Sequence, residues 1–150
     1  RKKGQLLTHD KDQAVSVVLS IHSLIETNIQ SVGEYDTLGD MVVRVIPHTT
    51  RNIFPVLNSE GKLLGVVEFD RLRKDMFDQS KYPNSVQRYM ITAPDKIYDG
   101  ESASSVLEKF ETTGAWNLPV VDSSDRYLGF VSKSRILTAY REKLKEMTQE

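Results

Sequence analysis

Cysteine is absent from this chain of 150 residues, which excludes disulfides, thiolate metal sites and thiol nucleophiles together. Histidine is scarce: His9, His22 and His48 are too few for a histidine-rich metal cage. An excess of either charge is also lacking. Lys+Arg 20 against Asp+Glu 21 leaves a net charge of −1, so a surface built mainly to grip nucleic acid or acidic lipid is not expected. The longest mainly apolar stretch, Ala14 to Ile25, is broken by Ser16, Ser20, His22 and Ser23. It reaches about half of the roughly 20 residues a membrane-spanning helix needs, and it lacks the small-residue cleavage site of a secretory signal. No Gly-x-Ser-x-Gly, Gly-x-Gly-x-x-Gly, Walker A or His-Glu-x-x-His string occurs, and Gly61-Lys62 falls in a hairpin turn, not a phosphate loop. No catalytic residue and no metal ligand is assigned, and an enzyme is not expected.

The hydrophobic share, 39%, is enough for a folded core. The chain opens on Arg1-Lys2-Lys3 without an initiator methionine, which suggests a piece of a longer protein.

An internal repeat organises what is there. Asn52 to Leu72 and Trp116 to Ile136 align at a shift of 64 residues with seven of 21 positions identical, including Pro55/Pro119, Val56/Val120, Gly65/Gly129 and Arg71/Arg135. Chance at average composition would give roughly one or two. Upstream the shift becomes 65, and Leu38, Met41, Val42 and Val45 correspond to Ala103, Val106, Leu107 and Phe110. Both sets fall at i, i+3, i+4, i+7, the apolar stripe of an amphipathic helix. Thr37 and Ser102 precede these stripes as N-caps, and Gly114 sits where the second helix must stop.

Each copy reads as an extended piece near Val32 or Ile97, a helix, a strand through Pro55 or Pro119, a polar turn, a return strand and a closing helix. The closing helix carries Phe69, Leu72 and Met76 in one copy and Ile136, Leu137, Tyr140 and Leu144 in the other. Tyr82-Pro83-Asn84-Ser85 links the copies. A helical stripe of Ala14, Val17, Val18, Ile21 and Ile25 precedes them, either packing on the domain or relaying movement from upstream. The expected division is a linker and helix over 1–23, a first repeat over 24–80, a second over 81–145 and a tail over 146–150.

The paired signature, hydrophobic-Pro-Val, acidic turn, Leu-Gly-hydrophobic-Val, resembles a tandem of CBS domains, the Bateman module, over about residues 24 to 145. The resemblance implies an α/β (α+β) fold: two β-α-β-β-α repeats packed face to face about a pseudo-twofold axis, preceded by a helix. Leu7-Thr8-His9-Asp10-Lys11-Asp12, Arg51-Asn52-Ile53-Phe54-Pro55-Val56, Gly114 to Val120 and Gly129 to Ser134 further resemble the cytosolic segment of bacterial CLC chloride channels and transporters. That narrower resemblance implies a soluble fragment at the cytoplasmic face of the cell membrane, a regulatory and assembly module. Its partner is the CLC transmembrane domain of the same polypeptide, which carries the chloride pathway, channel or chloride/proton antiporter. The same resemblance implies that two such CBS pairs associate into a homodimer. Alternatives are a purely structural dimerisation module without ligand, or the CBS pair of a different membrane transporter.

The family takes adenosine nucleotides in the clefts between repeats. No cofactor is required, and ATP, ADP or AMP is the ligand such a cleft would take. CBS domains that bind adenosine commonly place Ser or Thr three residues after the repeat glycine and Asp six after it. This chain has Glu68 and Arg71 after Gly65, and Ser132 and Arg135 after Gly129, so both copies depart at the ribose carboxylate. The better candidate cleft joins Ser132, Lys133 and Arg135 to Arg51, Asn52, Ile53 and Phe54. A second, of Glu68, Arg71, Ala115, Trp116 and Asn117, is expected to be empty because Glu68 would repel a polyphosphate. Arg135 is read either as a phosphate partner or, with Arg71, as a structural cation. Trp116 is expected to be a packing anchor, His22 a partly buried and satisfied imidazole, His48 exposed, and His9, Asp10 and Asp12 a solvated helix cap.

Overall fold

The computed structural model describes residues 20–148. The Leu7–Asp12 string and Ala14, Val17 and Val18 of the leading stripe lie outside them. The described part of that stripe is a short 3₁₀ turn, His22–Leu24, behind a buried Ile21.

Thr37 caps the first helical path as the sequence leads one to expect. Its hydroxyl accepts from the Asp40 amide at 3.1 Å while the Asp40 carboxylate accepts from the Thr37 amide at 2.9 Å, a reciprocal capping box. The path runs as α1 (Leu38–Asp40), a π-helical stretch Met41–Val45 and a 3₁₀ turn Ile46–His48. It stops where Pro47 offers no amide to continue the ladder. In the second copy Ser102 accepts from the Ser105 amide at 3.2 Å to open α2 (Ala103–Thr113), which closes on left-handed Gly114 at φ 70°. The stripes superpose position by position. Leu38, Met41 and Val45 are buried, and so are Ala103, Val106 and Phe110.

Two three-stranded sheets carry these helices, ordered β1-β2-β3 and β4-β5-β6. The first is β1 (Val32–Gly33), β2 (Ile53–Leu57) and β3 (Leu63–Glu68); the second is β4 (Ile97–Tyr98), β5 (Asn117–Val121) and β6 (Tyr127–Ser132). β1 lies parallel to β2 with Val32 beside Val56, and β2 is antiparallel to β3 with Pro55 opposite Val66. Both hairpin turns are held alike. Asn58 Oδ1 accepts from the Glu60 and Lys62 amides, and Asp122 Oδ1 accepts from those of Ser124 and Arg126, all between 2.8 and 3.0 Å. The turns also pair with each other: the Leu63 amide donates to Asp125 O and the Tyr127 amide to Gly61 O, both at 3.0 Å. These two bonds exchange under the 64-residue shift.

The closing helices differ from expectation. The second copy has a full one, α3 (Lys133–Thr148). The first has only a 3₁₀ turn, Phe69–Arg71, followed by irregular turns, although Leu72 and Met76 are buried as the pattern requires. Asp and Ser side chains compete there for the backbone: Asp78 Oδ1 takes the Ser80 amide at 3.0 Å, and the Tyr82 hydroxyl donates to Met76 O at 3.0 Å.

The chain forms two compact units. One contains 20–25, 94–120 and 130–148 of the described residues; the other contains Glu26–Ala93 and Val121–Gly129. In the second of these Val32, Leu38, Met41, Val45, Phe54, Val56, Val67, Leu72, Val86 and Tyr89 make one core cluster. The Tyr82–Ser85 linker is built into it: Asn84 O and Tyr82 O accept from the Leu38 and Gly39 amides at 2.8 and 3.0 Å. Residues beyond the linker run along β3, where Val66 and Ile91 exchange amide bonds at 2.9 and 2.8 Å. Gly65 permits that approach, because a Cβ there would lie 2.6 Å from Ile91 O.

Candidate functional site

In each repeat the first strand begins beside the point where the second strand ends. The Phe69 amide donates to Asn52 O at 2.8 Å, and the Lys133 amide donates to Trp116 O at 2.9 Å. The same 64-residue shift relates the two bonds. Arg51–Phe54 therefore stand at the same sheet end as Glu68, which pairs with Ile53 across the β2–β3 ladder, and Arg71 follows in the exposed 3₁₀ turn. In the other unit Ser132, Lys133 and Arg135 stand at the sheet end that carries Ala115, Trp116 and Asn117. The residues expected in the two clefts thus fall into these two groups, and each group belongs to its own unit.

Of the first group, Arg51, Asn52 and Phe54 line a cavity, and Ile53, Glu68 and Arg71 do not. Ile46, Thr49, Thr50, Arg51, Asn52, Phe54 and Phe69 enclose about 190 Å³ at the start of β2. A more open hollow of about 450 Å³ adjoins it over Asn28, Pro47, His48 and the same Thr49, Thr50 and Arg51. Phe54, Ile46 and Phe69 give it apolar walls, and the threonines, Asn52 and a guanidinium give it a polar rim. Thr49 Oγ1 accepts from the Arg51 amide at 3.0 Å, which fixes the bend before the strand. Arg51 itself is held from behind: Nη1 lies 2.8 Å from Glu26 Oε1, and Nη2 donates to Asn28 Oδ1 at 3.2 Å. Tyr127, in the same unit, is half-buried. Burial pushes its phenol pKa well up, and the nearby Arg51 charge opposes that only in part.

The second group is more exposed. Ser132 Oγ accepts from the Arg135 amide at 3.2 Å and so caps α3. Lys133 reaches Glu111 at 3.4 Å and lies 5.3 Å from the centre of the Trp116 ring. Ala115 donates its amide to Thr113 Oγ1 at 3.1 Å, and Asn117 opens β5. Arg135 is exposed beside a hollow of about 270 Å³ that Leu24, Thr138, Ala139 and Glu142 also line.

Two side chains stand otherwise than expected. Trp116 is 70% exposed, no packing anchor; the adjacent strand is anchored by buried Leu118 and Val120, and the indole is left to Lys133. His22 is satisfied, 2.6 Å from Asp99, but it lies on an exposed turn with its side chain 64% accessible. His48 is exposed as expected, while His9, Asp10 and Asp12 lie outside the described residues. Among the described residues no cluster of His, Asp and Glu could hold a metal ion, and no helix is long and apolar enough to cross a membrane.

Sequence reasoning missed Glu26, Asn28, Thr49, Thr50, Ile46 and Phe69. The paired hydroxyls of Thr49 and Thr50 just before Arg51 were a readable signal for a polar loop at the start of the strand. Glu26 had none, being 25 positions from its partner.

Residues 86–142 match the family model of the CBS domain. An uncharacterized protein of Methanocaldococcus jannaschii is 27% identical over 129 residues, which cover 83% of this chain. The chain spans less than half, 45%, of that relative's length. A CBS domain pair/ACT domain protein from Thermotoga maritima has a similar structure at TM-score 0.67 and 23% identity, covering 84% of this chain and 99% of that one. CbpB in complex with c-di-AMP matches at TM-score 0.71 and 13% identity over 98% and 99% of the two chains. CBSX2 in complex with AMP matches at 0.66 and 18% over 82% and 96%. Repeat, sheets and comparisons agree on the fold of a CBS domain pair, with residues 86–142 matching the CBS family model.

Proposed function

We propose that the chain is the regulatory module of a larger protein, that it takes an adenosine nucleotide, and that it is not an enzyme. The cavity at the start of β2 carries this reading. Phe54, Ile46 and Phe69 offer apolar surface to a base, while Thr49, Thr50, Asn52 and Arg51 offer donors and acceptors to a sugar and phosphate. Two proteins of the same fold were solved with AMP and with c-di-AMP, which supports an adenosine ligand here.

The larger protein is a CLC-type chloride channel or antiporter, with this module on its cytoplasmic side and paired into a homodimer. The four strings in chain order support that partner. A ligand that prefers one arrangement of the modules biases the transport gate by its difference in affinity, and equal affinity shifts nothing. Calorimetric titration of the chain with adenosine, AMP, ADP, ATP and c-di-AMP tests the ligand: heat and a thermal shift with at least one are expected, and none with any overturns it. The upstream reading frame tests the partner, since a CLC pathway must be encoded there as a series of apolar segments of about 20 residues.

A second reading, a structural dimerisation module without ligand, is favoured by one observation. Arg71 and Arg135 occupy the places where a ribose-binding carboxylate is expected. The same titration separates the two.

A further inference from the structure

Arg51, the guanidinium that lines the β2 cavity, is already matched by a carboxylate. Arg51 is only 34% exposed and is held at 2.8 Å by Glu26, which is 15% exposed. Arg73 lies 3.3 Å from Asp70 and 5.2 Å from the Phe69 ring centre, and Arg44 lies 3.4 Å from Asp40. At the exit of β3, Glu68 and Asp70 balance Arg71 and Arg73 in formal charge. Glu26 does not line the cavity; it stands behind the guanidinium that does.

A guanidinium has five donors, so Arg51 keeps donors for a ligand while it is ion-paired with Glu26 and bonded to Asn28. What it has lost is net charge. A carboxylate about one guanidinium away from an incoming phosphate repels it, and the repulsion grows with the ligand's charge in a half-buried site.

From this we infer that the site selects nucleosides carrying no more than one phosphate over di- and triphosphates, and that Glu26 sets this preference through Arg51. The inference rests on the nucleotide reading above. Glu26 is a positioning residue: it aims Arg51 into the cavity and cancels its charge. With Glu26→Gln the side-chain shape is kept and the charge of Arg51 returns.

The test is a titration of the chain and of its Glu26→Gln variant with adenosine, AMP and ATP at low salt. The unaltered chain is expected to bind ATP no more tightly than AMP. The variant is expected to gain about tenfold for ATP, less for AMP and nothing for adenosine, a gradation that follows ligand charge. A merely structural role would move all three affinities alike, and that result overturns the assignment. So does tighter binding of ATP than AMP by the unaltered chain, a measurement that stands even if the variant does not fold. Binding of none of the three to either protein overturns the nucleotide reading itself.

Discussion

Gly65 shows how far one missing atom decides local structure. It leaves room for Ile91 O, and the Met90 side chain crowds the same space, with Cγ 2.7 Å from where a Cβ would stand. Gly65→Ala is expected to cost about 1–3 kcal/mol by overpacking and to loosen residues 89–92 from β3. Urea unfolding measures the first and amide exchange at Ile91 the second. Trp116 makes the opposite case. Because it is exposed and leans only on Lys133, Trp116→Ser is expected to change stability by less than about 1 kcal/mol; a loss of several would restore it as a packing anchor. Asp40 carries a pH dependence. The Thr37 amide, first among its partners, holds its carboxyl below the ordinary 3.8. A lowered folded pKa contributes stability that is fully present above 3.8 and is lost as the pH falls through the folded value. Asp40→Asn is expected to flatten stability against pH in that acid window, read by thermal melts between about pH 2 and 5.

At the scale of elements the two repeats keep one recipe and break it in one place. Caps, stripes, hairpin turns and the bonds that close each sheet end recur at matching positions, because each depends on neighbours in sequence. The closing helix does not recur. In its place a hydrogen-bonded patch ties the turn to the linker: Tyr89 donates to Asp75 Oδ2 at 2.7 Å and accepts from Asn84 Nδ2 at 3.0 Å. Tyr89 is buried, and burial leads the causes that raise its phenol pKa. Tyr89→Phe keeps the ring and removes the hydroxyl, and is expected to cost about 1–3 kcal/mol in chemical denaturation. An unchanged midpoint would mean that the patch contributes nothing to holding the turn.

For the molecule as a whole, the division into units is not the division into repeats. The unit built on the first repeat also takes Val121–Gly129 from the second, through the reciprocal bonds of Leu63 with Asp125 and Tyr127 with Gly61. A fragment ending at Ala93 therefore lacks part of its own unit. It is expected to show poor amide dispersion alone and to gain native dispersion when a fragment of residues 94–148 is added. A well-folded isolated fragment would contradict this.

Much of this was legible in order and spacing alone. The repeat, both N-caps, the αL stop at Gly114, the buried stripes and the paired hairpin turns are local or periodic properties, set by backbone geometry and by which face of an element is apolar. The absent closing helix was not legible, because Leu72 and Met76 satisfy a helical stripe while Asp78 turns its carboxylate to Ser80, Asp75 accepts from Tyr89 and Tyr82 donates to Met76 O. Nor was the tie of Glu26 to Arg51, on which the charge of the cavity depends. Periodicity records which side of an element faces inward; only the folded chain decides which ion from a distant segment arrives to meet another.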